Sequence, residues 1–309
     1  MKKIDIIVPF YNEEEVFDEF IKKLDAVKNE IETKHNVVLD YIFIDNGSED
    51  ATFHKIKNYI DKSSNSKVIK LIRNFGIDGA LRAGIDNSTG EAAILIHGDL
   101  QDNPEIISKL ISEWENGYDQ VIVRYTFQNR ENIFRKLGSY FYYKWANYAS
   151  SNLIIKGVSD FRLISKNIVN FITNIDESIY LLRGILIWPG YKFKIIDAIK
   201  EKRLLGTSKM NLPTIFKYFK LPISVSTRIL FVIPIFSISF FILSMFFILY
   251  TLVYFLATGN LLIQIEPRLT LLIVINIFFL LFLGIISSYL GVLIEEVKNR
   301  PHYLEEQGK

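Results

Sequence analysis

Short apolar runs alternate with longer amphipathic segments over roughly the first 200 residues of the chain. The runs KIDIIVPF, LDYIFID, SKVIKLI, EAAILIH and YDQVIV are short and rich in β-branched residues, as buried strands are. Helix-length segments such as 13–33 and 51–60 separate them. This alternation predicts βαβ units and a mostly parallel α/β sheet with helices on both faces.

The last third of the chain has a different pattern, with two long stretches that contain no charged residue. They run from Ile229 to Ile263 and from Leu269 to Ile294, and each exceeds the ~20 apolar residues needed to cross a bilayer. Both stretches are apolar on every face, which favours transmembrane helices over the buried helices of a soluble core. Basic residues precede the first stretch and follow the second, so the positive-inside rule predicts that the N-terminal domain and the C-terminal tail are cytoplasmic.

Two further segments mix basic and aromatic residues, NRENIFRKLGSYFYYKWANYAS and NLPTIFKYFKLPIS, and suit helices that lie at a membrane interface. Packing of both segments on the domain core is the alternative.

The N-terminus, MKKIDIIVPFYNEEE, is expected to form a first strand and not a signal peptide. The predicted parts, in chain order, are a cytoplasmic α/β domain at 1–210 with an interfacial helix at 130–151, an amphipathic juxtamembrane helix at 211–227, a transmembrane helix at 228–257, an extracytoplasmic loop at 258–268, a second transmembrane helix at 269–294 and a cytoplasmic tail at 295–309.

Composition excludes only a few functional classes. With 50% hydrophobic and 23% charged residues the chain is not wholly disordered. Its formal net charge of +2 does not favour nucleic acid as a partner. There is no cysteine, which excludes disulfides, Cys-ligated zinc and thiol catalysis.

Polar residues cluster where three of the predicted strands end, in PFYNEEE, DNGSED and HGDLQD. The carboxyl ends of parallel strands share one edge of a sheet, and ligands bind there. Turn formation by Asp, Asn, Gly and Ser explains any one cluster more easily than all three. The chain has neither a GxxxxGK[ST] loop nor a GxGxxG after the first strand. A bound nucleotide diphosphate would therefore require another device, such as a divalent metal on carboxylates.

Five motifs in this order, IIVPFYNEEE, IDNGSEDAT, GDLQDNPE, GVSDFRLIS and RLLGTSKM, precede the two apolar stretches. Over nearly the whole chain this set resembles the polyprenyl-phosphate glycosyltransferases, membrane-bound relatives of dolichol-phosphate mannose synthase in glycosyltransferase family 2. The resemblance implies a Rossmann-like GT-A fold, a nucleotide-sugar donor with uridine as the expected base, and Mg²⁺ or Mn²⁺. It also implies inverting transfer of the sugar to polyprenyl (undecaprenyl) phosphate at the inner (cytoplasmic) membrane, giving a lipid-linked sugar for cell-envelope glycan modification.

The resemblance assigns donor binding to two groups of residues. Those after the first two strands are Pro9, Tyr11, Asn12, Glu13 and Asp45; those in a later loop that closes over the diphosphate are Arg203, Ser208 and Lys209. A basic patch facing anionic lipid is the alternative for the later loop. Asn46 stands where the family usually has Asp, so an acceptor is kept and a charge is lost. Asp50 either contributes to the site or caps the helix that begins near Ala51.

The same comparison implies that Asp99 and Gln101 hold the metal and that Asp99 and Asp160 are catalytic. Orientation of the acceptor is the role predicted for Asp160, because a phosphate monoester is largely ionised at neutral pH and hardly needs a base. Asp102 has the spacing of a helix N-cap with Glu105 as its N3 partner, and is predicted to be a cap. His97 replaces an Asp of the family; metal ligation, hydrogen bonding and weakened metal binding all stay open.

Acceptor-phosphate binding falls, by the resemblance, to Arg124, Arg135 and Ser139, whose guanidinium and hydroxyl groups suit a phosphate monoester. Two alternatives remain. An enzyme of the same fold with a different acceptor would not need the two arginines, and a non-catalytic nucleotide-sugar-binding membrane protein is suggested by Asn46 and His97. The motifs do not define the sugar, and the largely apolar spans would allow a homo-oligomer.

Overall fold

The computed structural model describes residues 1–63, 65–126, 155, 157–175, 182–199 and 265–306, with isolated helical positions at 144, 147 and between 239 and 257. The chain divides into two compact units. The first comprises 1–143, 153–210 and 299–309, and the second comprises 144–152 and 211–298. The candidate site lies in the first unit.

A seven-stranded sheet forms the centre of the first unit. Its strands are β1 (Lys2–Phe10), β2 (Val37–Asp45), β3 (Ser66–Lys70), β4 (Ala92–Leu95), β5 (Gln120–Thr126), β6 (Val158–Ser165) and β7 (Phe193–Ile199), in the order β3-β2-β1-β4-β6-β5-β7. Strand β1 pairs in parallel with β2 and β4, β2 with β3, and β5 with β7, whereas β6 is antiparallel to both neighbours. The predicted mostly parallel sheet is confirmed, and the five predicted strands correspond to β1–β5.

Among the described residues of this unit, six helices connect the strands: α1 (Phe17–His35), α2 (Thr52–Ile60), α3 (Gly76–Asp86), α4 (Ile106–Glu115), α5 (Lys166–Thr173) and α6 (Leu182–Ile185). Helix α1 begins four residues later than the predicted start at Glu13, because that residue opens a turn instead. The carbonyl of Glu13 accepts hydrogen bonds from the N–H groups of Val16 and Phe17, at 3.2 and 3.1 Å. The acidic stretch after β1 is therefore a loop at the sheet edge.

Apolar side chains cover both faces of the sheet, as expected for strands joined by helical crossovers. Successive residues of β1 show the alternation, since Ile6 and Val8 enter one core and Ile7 the other. Helices α1, α2 and α4 pack on the first face and α3, α5 and α6 on the second. With both faces covered, the carboxyl edge of the parallel strands is the part of the sheet left for a ligand.

In the second unit the structure describes one long helix, α7 (Ile265–Lys298), of 34 residues. It contains the segment predicted as the second transmembrane helix, and it begins within the predicted loop at 258–268. Among the residues that the structure describes, no helix satisfies both the length and the hydropathy needed to span a membrane, so the two transmembrane helices stay predictions. The segments 211–227 and 228–257 lie outside the described residues, apart from isolated positions, as does most of 130–151.

Candidate active site

A cavity of about 580 Å³ lies at the carboxyl ends of β1, β2 and β4. This volume falls in the usual range for small-ligand pockets. Five of the residues assigned to the donor or the metal line it: Pro9, Tyr11, Asn12, Glu13 and Asp99. The structure thus brings together the polar ends of three separate strands.

The loops that follow β1 and β2 are joined by hydrogen bonds. The Asn12 N–H donates to the Ser48 hydroxyl at 3.1 Å, and the Asn12 side-chain oxygen accepts from the Glu49 N–H at 2.9 Å. The Glu13 N–H donates to the Thr52 hydroxyl at 2.9 Å. Asn12 has a left-handed backbone, with φ of 51°, which an asparagine tolerates better than most residues. These contacts make a fixed rim on one side of the cavity.

Asp50 lines the cavity, but its carboxylate is used by the two loops. One oxygen accepts from the Thr52 N–H at 3.0 Å and the other from the Glu14 N–H at 3.2 Å. The bond to Thr52 satisfies an N–H in the first turn of α2, although Ala51 and not Asp50 occupies the N-cap position. Asp50 therefore joins the loops at the start of α2 and also lines the cavity.

Asp45 ends β2 and is completely buried. One carboxylate oxygen accepts from the Ser48 N–H at 3.3 Å, whereas the other has no hydrogen-bond partner among the described residues. Burial raises the pKa of Asp45, opposed by the bonds from Ser48. A buried carboxylate oxygen without a donor carries a free-energy cost that a ligand hydroxyl or N–H group would relieve.

Asn46 uses both ends of its amide to hold the chain segment after β3. Its nitrogen donates to the Gly76 carbonyl at 3.0 Å and to the Asn74 side-chain oxygen at 3.2 Å, while its oxygen accepts from the Phe75 N–H at 2.9 Å. Asn46 is buried and lines the cavity together with Asn74 and Gly76. A carboxylate here would have no hydrogen to donate, so the replacement of Asp by Asn has a structural consequence that the sequence does not reveal.

His97, also on the cavity wall, reaches the buried carboxylate of Asp160. Its Nε2 lies 3.3 Å from Asp160 Oδ2. Burial opposes protonation, but the hydrogen bond and charge of Asp160, with the charges of Asp102 and Asp99, raise the pKa of His97. Of the three roles left open for His97, this geometry shows the hydrogen-bonding role.

Arg183 on α6 binds Asp160 from the other side. Its Nε and Nη2 donate to the two carboxylate oxygens, each at 2.6 Å. Burial favours the neutral acid, yet the charge and hydrogen bonds of Arg183, with those of His97, hold the pKa of Asp160 well below its usual range. A second arginine, Arg162, lies on β6 with Asp160 and is completely buried. Burial lowers the pKa of Arg162 to about 10. Asp160 is thus an ionised carboxylate held in one orientation.

The prediction that Asp102 caps a helix is wrong. Helix α4 begins at Ile106 with no side-chain cap, and the Asp102 carboxylate instead accepts from the His97 N–H at 3.1 Å and the Tyr125 hydroxyl at 2.5 Å. Burial raises the pKa of Asp102. The physical reason is that the chain turns sharply at Leu100, whose φ is +61°, so that Asp102 points into the core and not along the helix.

Asp99 and Gln101, the predicted metal ligands, lie in that turn. The Gln101 N–H donates to Asp99 Oδ1 at 3.1 Å, and Asp99 lines the cavity. Within the described part of the chain, no three His, Asp or Glu residues are grouped as a metal site. One carboxylate and one amide form an oxygen donor set of the kind Mg²⁺ uses when substrate phosphates supply further ligands. Asp99 is the member of this pair that lines the cavity, whereas the described contact of Gln101 with Asp99 is made by its backbone N–H.

Of the residues predicted to bind the acceptor phosphate, only Arg124 is described. Its Nε and Nη2 donate to the two carboxylate oxygens of Asp197 on β7, at 2.6 and 2.9 Å. Both side chains are largely exposed. The pairing of Arg124 with Asp197 joins residues 73 positions apart and was not predicted from the sequence. Arg135, Ser139, Arg203, Ser208 and Lys209 lie outside the described residues.

Arg183 is the site residue that sequence reasoning missed. A signal was present, because Arg183 is the only charged residue in SIYLLRGILIWPGY, a mainly apolar segment. A lone arginine among buried apolar residues usually has an acidic partner. Its spatial neighbour Asp160 is 23 residues away along the chain, so the pairing itself required the fold.

The fold and this site define a class: an α/β domain with a polar ligand cavity at the carboxyl edge of its sheet. Residues 5–172 match the family model for glycosyl transferase family 2. The chain belongs to this family and has its Rossmann-like GT-A fold, with a mostly parallel mixed sheet. It is therefore a glycosyltransferase.

Two curated relatives are similar over the full length. The bactoprenol glucosyl transferase of Shigella phage SfX is 32% identical over 317 residues, which cover 99% of this chain and 100% of that protein. The putative glycosyltransferase CsbB of Bacillus subtilis is 34% identical, over 97% of this chain and 90% of that protein. Among solved structures, glucosyl-3-phosphoglycerate synthase of Mycobacterium tuberculosis, in complex with Mn²⁺, UDP-glucose and phosphoglyceric acid, is 13% identical over 72% of this chain and 78% of that one, with a TM-score of 0.46.

Proposed function

We propose that this chain is a membrane-bound, inverting glycosyltransferase that transfers a sugar from a UDP-linked donor to polyprenyl phosphate. The observation that carries the proposal is the cavity that joins the rim after β1 to Asp99 and, through His97, to the fixed carboxylate of Asp160. Its full-length relative from Shigella phage SfX is named a bactoprenol glucosyl transferase, and bactoprenol is a polyprenol.

The donor nucleotide occupies the cavity at the ends of β1 and β2. Its base and ribose lie against the rim formed by Pro9, Tyr11, Asn12 and Glu13. Asp45 is completely buried and does not itself line the cavity. A hydrogen bond from the base or the ribose of a bound nucleotide to its unpaired oxygen would remove the cost of burying that oxygen. Arg203, Ser208 and Lys209, which lie outside the described residues, are assigned to the donor diphosphate by the family resemblance alone.

Asp99 and Gln101 would hold Mg²⁺ or Mn²⁺ together with the donor diphosphate. When bound, the metal would neutralise negative charge on the departing nucleotide diphosphate, a Lewis-acid role. Its placement relies on the turn at Leu100, which directs the Asp99 side chain towards the cavity. His97 does not join the ligand set in this account, because its Nε2 is directed at Asp160.

Asp160 orients the acceptor through its partners Arg183 and His97, which its carboxylate holds in place, and does not act as a base. Arg183 keeps its carboxylate ionised and fixed, and an acid with so low a pKa has little tendency to take a proton. A phosphate monoester is mostly dianionic at neutral pH, so it needs no deprotonation. An oxygen of the polyprenyl phosphate attacks the anomeric carbon, the bond from that carbon to the diphosphate oxygen breaks, and the nucleotide diphosphate leaves from the opposite face. The product is a sugar linked through a phosphodiester to the lipid.

Membrane attachment accounts for how the enzyme meets a lipid substrate. The two uncharged stretches, 229–263 and 269–294, are long enough to span a bilayer. Large apolar side chains are exposed along α7, among them Leu272, Phe279 and Leu293. We place the protein in the cytoplasmic membrane with the first unit in the cytoplasm, where it supplies a lipid-linked sugar for modification of a cell-envelope glycan.

The test is a transfer assay with purified protein in detergent. Undecaprenyl phosphate is incubated in separate reactions with each radiolabelled UDP-sugar and with radiolabelled GDP-mannose. Each reaction contains Mn²⁺, Mg²⁺ or a chelator. We expect label from one UDP-sugar to enter the lipid phase. Undecaprenol, which lacks the phosphate, should accept none. Asp99→Ala should lower transfer, whereas Asp61→Ala, which removes an exposed acid at the end of α2, is the matched control and should leave transfer unchanged.

Two outcomes would contradict the proposal in different ways. Transfer to another lipid or glycan, with undecaprenyl phosphate inert, would show that the acceptor is wrong and the enzyme class right. Nucleotide binding by calorimetry without transfer from any donor under any metal condition would favour a non-catalytic binding protein.

A further inference from the structure

The C-terminal tail, defined as residues 299–306, packs against the edge of the catalytic sheet. The Ile72 N–H donates to the Leu304 carbonyl at 3.0 Å, and the Glu306 N–H donates to the Lys70 carbonyl at 2.7 Å. Between these bonds, Leu71 and Glu305 form an antiparallel bridge. Since β3 is the edge strand of the sheet and ends at Lys70, the tail pairs with the chain where that strand leaves the sheet.

Side chains of the tail add further contacts to the same unit. The Glu305 carboxylate accepts from the Asn87 side-chain nitrogen at 3.1 Å, and Glu306 forms an ion pair with Lys70 at 2.5 Å. Tyr303 packs against the core cluster on the α3 face. A side chain at Gly79 would have its Cβ 3.0 Å from the His302 carbonyl, so the tail backbone lies directly on α3. The tail is therefore a docked element of the first unit.

The residues that follow the paired segment form a wall of the candidate donor cavity. Asn74, Gly76 and Ile77 line that cavity, only two to five residues beyond Ile72. On its inner side the wall is held by Asn46 through the three hydrogen bonds described above. A Cβ at Gly47 would lie 2.5 Å from the Arg73 carbonyl carbon, which shows how closely the loop after β2 supports the wall.

The wall is thus held from two sides, by Asn46 within the site and by the tail through residues 70–72. Leu71 is buried, and the Ile72 N–H has its partner in the tail. Without the tail, these groups would face water and the segment would gain conformational freedom. A ligand that needs the ordered wall would then bind more weakly, because binding must also order the segment.

We propose that the C-terminal tail is a positioning element of the donor site, which holds residues 70–77 in the conformation that binds the nucleotide. This inference rests on the proposed function in one respect, that the cavity is the nucleotide site. The tail touches no reacting atom in this account. It acts through the wall, so its loss should weaken nucleotide binding more than it slows the chemical step.

The test compares three variants in the full-length protein in detergent. Glu306→Pro removes the N–H that donates to Lys70, and Glu306→Ala removes only the carboxylate, so their difference isolates the backbone bond. Deletion of residues 302–309 removes the whole contact. For each variant we would measure UDP affinity by calorimetry, amide hydrogen exchange of residues 70–77, and kcat and KM for the donor.

We expect faster exchange at residues 71–76 in the Pro variant and in the deletion. UDP affinity should fall about threefold to tenfold in the deletion, less in the Pro variant and least in the Ala variant, with kcat changed less than KM. Unchanged UDP affinity despite faster exchange at 71–76 would overturn the tail proposal and leave the proposed function intact. A wild-type protein that binds no UDP and transfers no sugar would instead refute the proposed function, and with it the donor-site role of the tail.

Discussion

The Arg183 guanidinium holds the Asp160 carboxylate through two parallel hydrogen bonds, each 2.6 Å long. Asp160 is buried, whereas about half of the Arg183 side chain is exposed. Because water screens the charge of the half-exposed guanidinium, its ion pair stabilises the Asp160 carboxylate less than a fully buried ion pair would. Its geometric effect is undiminished, since a bidentate pair fixes the plane of the carboxylate.

This pairing predicts the effect of Arg183→Ala. The Asp160 carboxylate would lose its main partner and its orientation, so kcat/KM should fall about tenfold to a hundredfold, which corresponds to about 1.4 to 2.7 kcal/mol. Arg183→Lys should recover part of the loss, because it restores the charge without the fork. Steady-state kinetics of these variants, with Asp160→Asn and the double variant, would measure the coupling. Additive effects of Arg183→Ala and Asp160→Asn would show that the pair does not act as a unit.

The ion pair between His97 and Asp160 should make the stability of the protein depend on pH. The folded-state pKa of His97 is raised, so its ion pair with Asp160 contributes stability that is fully present below the ordinary value of 6.5 and is lost as the pH rises through the folded value. Thermal unfolding followed by tryptophan fluorescence should therefore show a stability advantage of the wild type over His97→Gln that shrinks as the pH rises above 6.5. A difference independent of pH between 5 and 9 would argue that His97 is neutral throughout.

Asn46→Asp should destabilise the protein although it restores the residue usual in the family. The carboxylate could still accept from the Phe75 N–H, but it would meet the oxygens of Asn74 and Gly76 without a hydrogen to share. A loss of about 1–3 kcal/mol is expected, together with weaker nucleotide binding. The unfolding temperature would report the first effect and calorimetry with UDP the second.

The matched control for this change is Asn116→Asp, at the exposed C-terminal end of α4. Its expected cost is only a few tenths of a kcal/mol, from the unfavourable placement of an acid at a helix C-terminus. If Asn46→Asp proved as mild as this control, the hydrogen bonds from Asn46 would not hold the cavity wall.

Substitutions of Arg124 and of Asp197 should change the KM for polyprenyl phosphate in opposite directions. If Arg124 binds the lipid phosphate, it must give up its ion pair with Asp197 to do so. Arg124→Ala should then raise the KM for polyprenyl phosphate several-fold, and Asp197→Asn should lower it, with kcat little changed. Kinetics at varied lipid phosphate in mixed micelles would measure both. An unchanged KM in both variants would leave the pair with a structural role alone.

The sequence was sufficient for strands β1–β5 and for the sheet edge that carries the site, because strand periodicity and polar strand ends are local signals. The sequence reasoning missed β6 and β7, because VSDFRLIS and FKIIDAI both carry charged residues within a strand. In β6, the structure shows that Asp160 is paired and that Arg162 is buried. The pairing of Asp160 with Arg183 and the tail contact with β3 join residues far apart in the chain. At Asp102 the sequence predicted a contact that does not form. Its spacing is typical of a helix cap, but in the structure its carboxylate accepts a hydrogen bond from the buried Tyr125 hydroxyl.

The central claim is that a phosphate oxygen of the lipid displaces the nucleotide diphosphate with inversion. The most direct measurement is the structure of the product formed from undecaprenyl phosphate and the accepted α-linked UDP-sugar, determined by proton and phosphorus NMR. We predict a β-linked sugar in a phosphodiester with the lipid. An α-linked product would contradict inversion, and free sugar with unchanged lipid phosphate would contradict transfer to the lipid.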